Sequence, residues 1–270
     1  MMADQENENK RGEIIAVSSA KGGVGKTIIA TNLALALKKK NVEVALIDGE
    51  FQFGDIGLAL DIQPSFTIKD LSEEIDRIDE HNVTNYMTRH ESGVHVLSAP
   101  DRPEFAELIT TEVIQKSLQA LTKNFDYIVV DAGHGIKDST IDFIEAADRV
   151  IAVTTLEVSS LKNTKLLIET IHQLELQDKL NLVVNRYNME SLIKPDEVPS
   201  MLRISEADYI PNNFKMAAQS MNLGIPLVTS RTKSDISKSI FKMAEGIISN
   251  QGGSRLGNKP SIIGKMFSKK

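Results

Sequence analysis

The chain has 270 residues and a mass of 29.8 kDa, with 41% apolar and 25% charged residues, as in ordinary folded domains. It contains no cysteine, which excludes disulfide bonds, zinc–thiolate sites, iron–sulfur clusters and cysteine nucleophiles. A formal charge of −6 argues against a broadly basic nucleic-acid surface, and no apolar run is long enough to cross a bilayer as a helix.

The chain opens with a polar, charged stretch, residues 1–12, which lacks the apolar core of a secretory signal. This composition predicts a disordered lead-in and a cytoplasmic protein. From residue 13 onward, short β-branched apolar segments alternate with segments of helical spacing. The predicted strands cover residues 14–17, 42–47, 94–97, 127–130, 150–153 and 180–184. The predicted helices cover residues 28–40, 111–123, 161–174 and 234–248.

This alternation predicts an α/β fold, a single doubly wound and mostly parallel sheet flanked by helices, over residues 13–249. The three lysines at 38–40 are predicted to form the last turn of the first helix, where they would suit the helix dipole. Residues 250–270 are predicted to be a separate basic tail, because the stretch from 251 onward has five Lys or Arg residues and no acid.

A glycine-rich segment, AKGGVGKT at residues 20–27, lies between the first predicted strand and the first predicted helix. Glycines allow backbone N–H groups to approach phosphate oxygens, and the following helix points its positive end at the same anion. In this layout Lys26 places a charge between the β- and γ-phosphates, and Thr27 offers a hydroxyl to Mg²⁺. The predicted phosphate-binding residues are Gly22, Gly23, Val24, Gly25, Lys26, Thr27 and Ile28.

The residues KGGVGKT at 21–27 resemble the deviant Walker A motif of the MinD/ParA class of P-loop ATPases. The resemblance implies that the protein binds ATP with Mg²⁺ and hydrolyses it to ADP and phosphate, slowly and with stimulation by a partner. It also implies a homodimer with ATP sandwiched between the subunits. In that dimer Lys21 would reach across to the partner's ATP phosphates and act in catalysis together with Lys26.

Acidic residues follow two of the predicted strands. Asp48 and Glu50 come after the second strand, and ligands of open α/β sheets bind at that end of the strands, which predicts both carboxylates near the γ-phosphate, Mg²⁺ or the attacking water. In the resembled family the second acid of a D-x-D segment orients the hydrolytic water, a place that Glu50 takes here. Asp131 ends the fourth strand in a Walker B layout, and the predicted Mg²⁺ ligands are Thr27, Asp48 and Asp131.

The segment after Asp131 departs from the family pattern D-x-P-x-G and reads DAGHG. Gly133 and Gly135 would still let the backbone approach the γ-phosphate. His134 is interpreted as a loop residue in preference to a catalytic base, and it is the next residue to test if Glu50 does not orient the water.

The same resemblance implies where the base binds. Asn185 and Arg186 follow the sixth predicted strand, where family members contact adenine, the asparagine by hydrogen bonds to the base edge and the arginine by packing beside it. The segment IPNN resembles the family's second base-binding loop and contributes Pro211, Asn212 and Asn213, the last in place of the usual acid.

Three segments, at residues 51–62, 99–110 and 160–171, resemble the TadZ/CpaE pilus-localisation branch of this family. The resemblance implies a spatial switch that positions a type IV or Tad pilus apparatus through a localisation or pilus-machinery protein. Two alternatives stay open. The client could be a flagellar, cell-division or partitioning system, or the protein could be a scaffold that binds nucleotide without hydrolysing it.

The distribution of basic residues bears on two further partners, an anionic membrane and DNA. Residues 261–270 place four apolar side chains on one arc of a helix beside lysines, which predicts contact with an anionic membrane at the inner face of the cell membrane, with a solubilising tail as the alternative. DNA binding would need clustered basic residues, and scattered surface residues are the favoured interpretation of the candidates. These candidates are Lys162, Lys165, Arg231, Lys233, Lys238 and Lys242.

Overall fold

The computed structural model describes residues 11–254. The strands are β1 (Glu13–Ser19), β2 (Val44–Asp48), β3 (Thr88–Arg89), β4 (His95–Leu97), β5 (Tyr127–His134), β6 (Arg149–Thr154), β7 (Leu180–Asn185) and β8 (Ala207–Ile210). The α-helices are α1 (Lys26–Leu37), α2 (Ile56–Ala59), α3 (Ile68–Glu73), α4 (Thr111–Leu121), α5 (Asp138–Ala146), α6 (Val158–Gln173), α7 (Val198–Leu202), α8 (Phe214–Leu223), α9 (Leu227–Ser230) and α10 (Asp235–Ser254). Short 3₁₀ helices cover Ile75–Arg77, Val83–Tyr86, Pro103–Leu108, Gln177–Lys179 and Pro195–Glu197.

The strands form one sheet in the order β3-β4-β2-β5-β1-β6-β7-β8. All neighbouring strands of the described sheet pair in parallel except β3 and β4, which are antiparallel. The prediction of a single, mostly parallel sheet is therefore confirmed. Because β5 lies between β1 and β2, Asp131 is in register with both Val17 and Asp48, which brings three functional segments to one edge of the sheet.

The two faces of the sheet are covered by different helices. Ile15 and Val17 of β1 point toward a core shared with α1, α9 and α10, whereas Ile14 and Ala16 point toward a core shared with α4, α5 and part of α6. Alternation of this kind buries both faces of the central strands, as expected for a doubly wound fold. A third cluster lies between α6, α7 and the outer strands.

This layering separates the basic residues considered for DNA binding. Lys162 and Lys165 belong to α6, whereas Arg231, Lys233, Lys238 and Lys242 lie on or beside α9 and α10, in the layer on the other face of the sheet. The six residues are therefore divided between two layers of the fold.

Several element ends differ from the sequence-based expectations. The helix α1 ends at Leu37, so lysines 38–40 follow the helix instead of forming its last turn, and the prediction about their dipole role is wrong. Lys38 instead donates a hydrogen bond to Val42 O and pairs with Glu43, which fastens the turn into β2. The helix α10 continues to Ser254, across the boundary expected after residue 249.

The structure also contains elements that the sequence did not indicate, chiefly β8, α5 and α8. The strand β8 has only four residues, and its first three are partly exposed, so it lacks the apolar run of the central strands.

In the described part of the chain, no helix has the length and apolar character needed to cross a membrane. The segment 261–270, where membrane contact was predicted, lies outside the described residues.

Candidate nucleotide-binding site

The loop between β1 and α1 has the backbone form of a phosphate cradle. Gly23 and Gly25 have φ values of 76° and 94°, in the left-handed region that glycine adopts without strain. The helix α1 begins at Lys26, directly after this loop, with no acidic residue in its first turn to neutralise its N-terminus. The backbone donors and the helix dipole are therefore directed at one place, which fits an anion.

Two charged side chains are buried beneath this cradle. Lys26 donates a hydrogen bond from Nζ to Asp131 Oδ1, and both side chains are less than a tenth exposed. A second buried carboxylate, that of Asp48, lies opposite Asp131 in the β2–β5 register and interacts with the charge of Lys26. The lysine therefore already faces the position at which a phosphate oxygen would compete with Asp131 for its charge.

Burial and the neighbouring Asp131 raise the pKa of Asp48 from 3.8 to about 7, even though its oxygens accept N–H bonds from Ile56 at 3.0 Å and Glu50 at 3.3 Å and Lys26 lies nearby. Gly54 packs against this carboxyl group and leaves no room for a side chain. A divalent cation would remove the repulsion that raises this pKa, and oxygen ligands suit Mg²⁺. Asp48, Asp131 and the hydroxyl of Thr27 at the start of α1 are thus a donor set that fits Mg²⁺.

Glu50 is the centre of a charged cluster at the edge of the cavity. Its Oε2 accepts a hydrogen bond from Nδ1 of His134 at 2.9 Å, and its Oε1 accepts one from Nζ of Lys137 at 2.8 Å. Burial alone would raise the pKa of Glu50, but the hydrogen bond and charge of Lys137, together with His134, outweigh burial and hold the pKa below its ordinary value. Both carboxylate oxygens predicted to orient water are thus engaged by protein groups.

A cavity of about 390 Å³ opens over the cradle. The residues of the phosphate loop line one end of it, together with Glu50 and His134, and we call this end the phosphate side. The other end, the base side, is lined by Arg186, Phe214, Ala217, Ala218 and Met221. The cavity therefore joins a charged end to an end bordered by apolar groups, which suits a nucleotide.

Asn185 and Arg186 both donate hydrogen bonds to the backbone of the phosphate loop. Asn185 is buried and donates a hydrogen bond from Nδ2 to Val24 O at 2.7 Å, and Arg186 donates to Gly23 O at 3.3 Å. Arg186 has a positive φ of 55°, and its guanidinium lies over the ring of Phe214, 5.8 Å from the centroid. In this arrangement Asn185 braces the loop backbone, while Arg186 and Phe214 form a flat surface at the cavity wall.

The second predicted base-binding segment lies beside the cavity and is not among its lining residues. Asn213 caps α8 by accepting the N–H of Met216, and the N–H of Asn212 donates to Asn188 Oδ1 at 2.6 Å, while Pro211 follows the last residue of β8. The lining instead comes from the next helix, at positions 214, 217, 218 and 221. These positions have the i, i+3, i+4, i+7 spacing of one helix face, a signal that the sequence did contain.

Lys21, predicted to reach across a dimer, does not line this cavity. Its Nζ lies 2.5 Å from Glu157 Oε2 and 3.0 Å from Ser159 Oγ, at the start of α6. The hydrogen bond from Lys21 lowers the pKa of Glu157. The side chain of Lys21 is 38% exposed, so its ammonium group is held at the surface beside the cavity.

A family model described as an AAA domain matches residues 12–185. The chain is 31% identical to the septum site-determining protein MinD of Synechocystis sp., over 80% of this chain and 81% of that protein. It is 29% identical to MinD of Thermotoga maritima, over 87% and 88% of the two chains, and 30% identical to the antiactivator FleN of Pseudomonas aeruginosa, over 60% and 57%.

Solved structures agree with the fold. A ParA family ATPase from Chlorobium tepidum superposes with a TM-score of 0.81 at 25% identity and covers 87% of this chain and 98% of its own. MinD of Pyrococcus horikoshii, solved in complex with Mg-ADP, superposes with a TM-score of 0.78 over 89% and 98% of the chains, although only 22% of the residues are identical. The chain therefore belongs to the MinD/ParA family of P-loop ATPases, positioning and partitioning proteins that hydrolyse ATP with Mg²⁺ as cofactor.

Proposed function

We propose that the protein is a switch whose ATP-bound form dimerises through the face beside the nucleotide cavity. The observation that carries this proposal is the position of Lys21, which belongs to the phosphate loop but extends to the surface at Glu157 and Ser159. A lysine within its own cavity would only add to the charge of Lys26. A lysine at the rim can instead reach a phosphate bound by a second copy, which makes dimer formation depend on the γ-phosphate.

This proposal is tested by substituting Lys21. The Lys21→Ala variant should bind a non-hydrolysable ATP analogue with nearly the affinity of the unmodified chain, because the side chain lies outside the cavity, and should fail to dimerise. Light scattering measures the mass and calorimetry the affinity. Lys238→Ala, which removes a lysine that is 64% exposed on α10, away from α6, is the matched control and should dimerise normally. Normal dimerisation of Lys21→Ala with the analogue would overturn the sandwich arrangement.

We propose a pilus apparatus of the type IV or Tad class as the client of this switch. The support is the resemblance of residues 51–62, 99–110 and 160–171 to the TadZ/CpaE branch. The first segment includes Phe53, which is exposed and lines the cavity, and α2, which packs on α8. A partner that bound this segment would contact residues close to the phosphates and could sense whether ATP or ADP is bound.

The second candidate client is the division septum or the flagellum, whose placement the protein would control. The likeness to MinD and to the antiactivator FleN favours this candidate. Deletion of the gene separates the two candidates. Loss or mislocation of surface pili, with normal septa and flagellar number, supports the pilus client. Misplaced septa or altered flagellar number with normal pili supports the second candidate and contradicts the first.

We also propose that residues 261–270 bring the ATP form to an anionic membrane. The support is the sequence pattern, in which apolar side chains alternate with lysines, since anionic lipids attract each nearby basic residue by about 1 kcal/mol. Co-sedimentation with anionic liposomes tests this, using the full chain and a truncation after Ser254 that leaves α10 intact. Equal recovery of the two proteins with ATP would contradict the proposal.

A further inference from the structure

The backbone at the end of β5 presents His134 to the phosphate loop. His134 lies between Gly133 and Gly135, whose φ values of 74° and 77° are both in the left-handed region. The N–H of Gly135 donates to Ser19 O at 2.8 Å, and Ser19 is the last residue of β1 before the loop. This hydrogen bond ties the two segments together, so the position of His134 relative to the phosphate side is set by the main chain.

The imidazole ring of His134 is oriented by a hydrogen bond at Nδ1, which leaves Nε2 on the side of the phosphate loop. Nδ1 lies 2.9 Å from Oε2 of Glu50, and since Lys137 donates to the other oxygen, the carboxylate offers acceptors only. Nδ1 must therefore carry the hydrogen, which leaves Nε2 of the neutral ring as an acceptor. A Cβ atom built on Gly22 would lie 3.9 Å from Nε2, so this edge of the ring faces the phosphate loop, and His134 lines the cavity.

We infer that His134 is a catalytic residue of ATP hydrolysis and that its Nε2 accepts the proton of the attacking water. The water oxygen forms a bond to the γ-phosphorus, and the bond from that phosphorus to the bridging oxygen breaks, leaving its electron pair on ADP. The water proton goes to Nε2 and is then returned to the phosphate product. Glu50 acts as a positioning residue that fixes the ring and stabilises the imidazolium.

This role differs from the expectation that Glu50 orients the water directly. Both oxygens of Glu50 are engaged by His134 and Lys137, whereas Nε2 of His134 accepts no hydrogen bond from residues 11–254 and faces the glycines of the loop. The inference rests on the ATPase activity of the family and not on the dimer, so the two can fail separately.

The test compares two variants of His134 in the full chain. His134→Ala removes the ring, and His134→Asn keeps an N–H donor for Glu50 but has no acceptor at the position of Nε2. Both should lower kcat about 100-fold, the lower end of general acid–base effects, with KM for ATP changed less than about twofold. Added imidazole should restore part of the activity of His134→Ala. His81→Ala removes an 84% exposed ring paired only at 4.0 Å with Glu80, and this control should keep the unmodified rate.

Unmodified kcat in His134→Asn, or a rise in KM at constant kcat, would overturn the inference, because the ring would then act only in structure or binding. A loss of kcat in His134→Ala that imidazole does not relieve would also overturn it. Dimerisation with a non-hydrolysable analogue should be the same in all these variants. If the unmodified chain does not dimerise with the analogue, the proposed switch is contradicted. The role of His134 is still decided by the kcat values of the variants.

Discussion

The two sides of the nucleotide cavity are built in different ways. The phosphate side depends on buried charge, since Lys26, Asp48 and Asp131 are each less than a tenth exposed and lie within one group of contacts. The base side depends on partly exposed apolar groups of α8, among them Phe214, which is 65% exposed. A charged contact in a buried, poorly screened site contributes more binding free energy than contact with a half-exposed apolar surface.

This difference separates affinity from selectivity. The phosphate side should supply most of the binding energy for any nucleoside triphosphate, because phosphates are common to all of them. The base side should supply a smaller energy that differs between adenine and guanine. Changes on the phosphate side should therefore have the largest effects on nucleotide binding, and a change on the base side the smallest.

Removal of the buried lysine should abolish most nucleotide binding. Lys26→Ala deletes a charge-assisted contact and leaves Asp131 unpaired beside Asp48, so we expect the affinity for Mg-ATP to fall about 100-fold or more. Mg-GTP binding should fall by the same factor, since the base plays no part in this contact. Calorimetry measures both affinities, with Lys162→Ala as control. An unchanged affinity would contradict the assignment of the phosphate side.

Disruption of the Glu50 cluster should affect turnover more than binding. Glu50→Ala removes the acceptor of both His134 and Lys137, and loss of such orienting partners typically costs about 10–100-fold in activity. We expect this loss in kcat with little change in ATP affinity. Lys137→Ala, which leaves the contact to His134 in place, should lose less. If Glu50→Ala and Lys137→Ala lose kcat equally, turnover depends on the charge of the cluster and not on the orientation of the His134 ring.

The stability of the nucleotide-free protein should depend on pH through Asp48. Its folded-state pKa, about 7, is above its ordinary value of 3.8, so the folded chain holds this proton more tightly than the unfolded chain. The resulting stabilisation is complete below pH 4 and is lost as the pH rises through 7.

Asp48→Asn does not titrate and serves as the reference. Between pH 5 and 7, the free energy of unfolding of the unmodified chain should fall relative to this variant, by at most about 1.4 kcal/mol per pH unit. Urea unfolding in the presence of EDTA measures this difference. Parallel stability curves for the two proteins would show that Asp48 is already ionised in the nucleotide-free fold.

A change on the base side should have the smallest effect. Phe214→Ala removes the ring beneath Arg186, and aromatic contacts of this kind contribute about 0.5–1.5 kcal/mol, or a few-fold in affinity. Mg-ATP affinity should fall by about that factor, and the ratio of ATP to GTP affinity should change. Inorganic tripolyphosphate should bind to the variant as it does to the unmodified chain. A loss of tripolyphosphate binding would contradict the division between the two sides.

The same division explains what the sequence predicted well. The strand order brings together Lys26, Asp48 and Asp131. The two acids lie on buried apolar strands that are visible in the sequence, and Lys26 begins the helix that follows another such strand and the phosphate loop. The phosphate loop is a local motif, so its glycines and lysine could be placed without knowledge of the rest of the chain. The general fold was predictable for the same reason, because buried parallel strands have a strong apolar pattern.

The parts that were missed depend on contacts between distant segments. The contact of Asn213 with the base stays a prediction, but the role of its side chain as the cap of α8 was not foreseen, nor was the supply of Phe214 and Met221 to the cavity by that helix. The pairing of Lys21 with Glu157 joins residues 136 positions apart, and that of Glu50 with Lys137 joins residues 87 apart. No local pattern reports such pairs, since they follow from how the strands are ordered in the sheet.

The central claim is that the γ-phosphate bound in this cavity controls self-association. Light scattering of the full chain in Mg²⁺ buffer tests it directly, without nucleotide, with ADP and with a non-hydrolysable ATP analogue. We predict the mass of one chain, 29.8 kDa, in the first two conditions and twice that mass with the analogue. The same mass in all three conditions, under concentrations at which calorimetry shows the analogue to be bound, would contradict the claim.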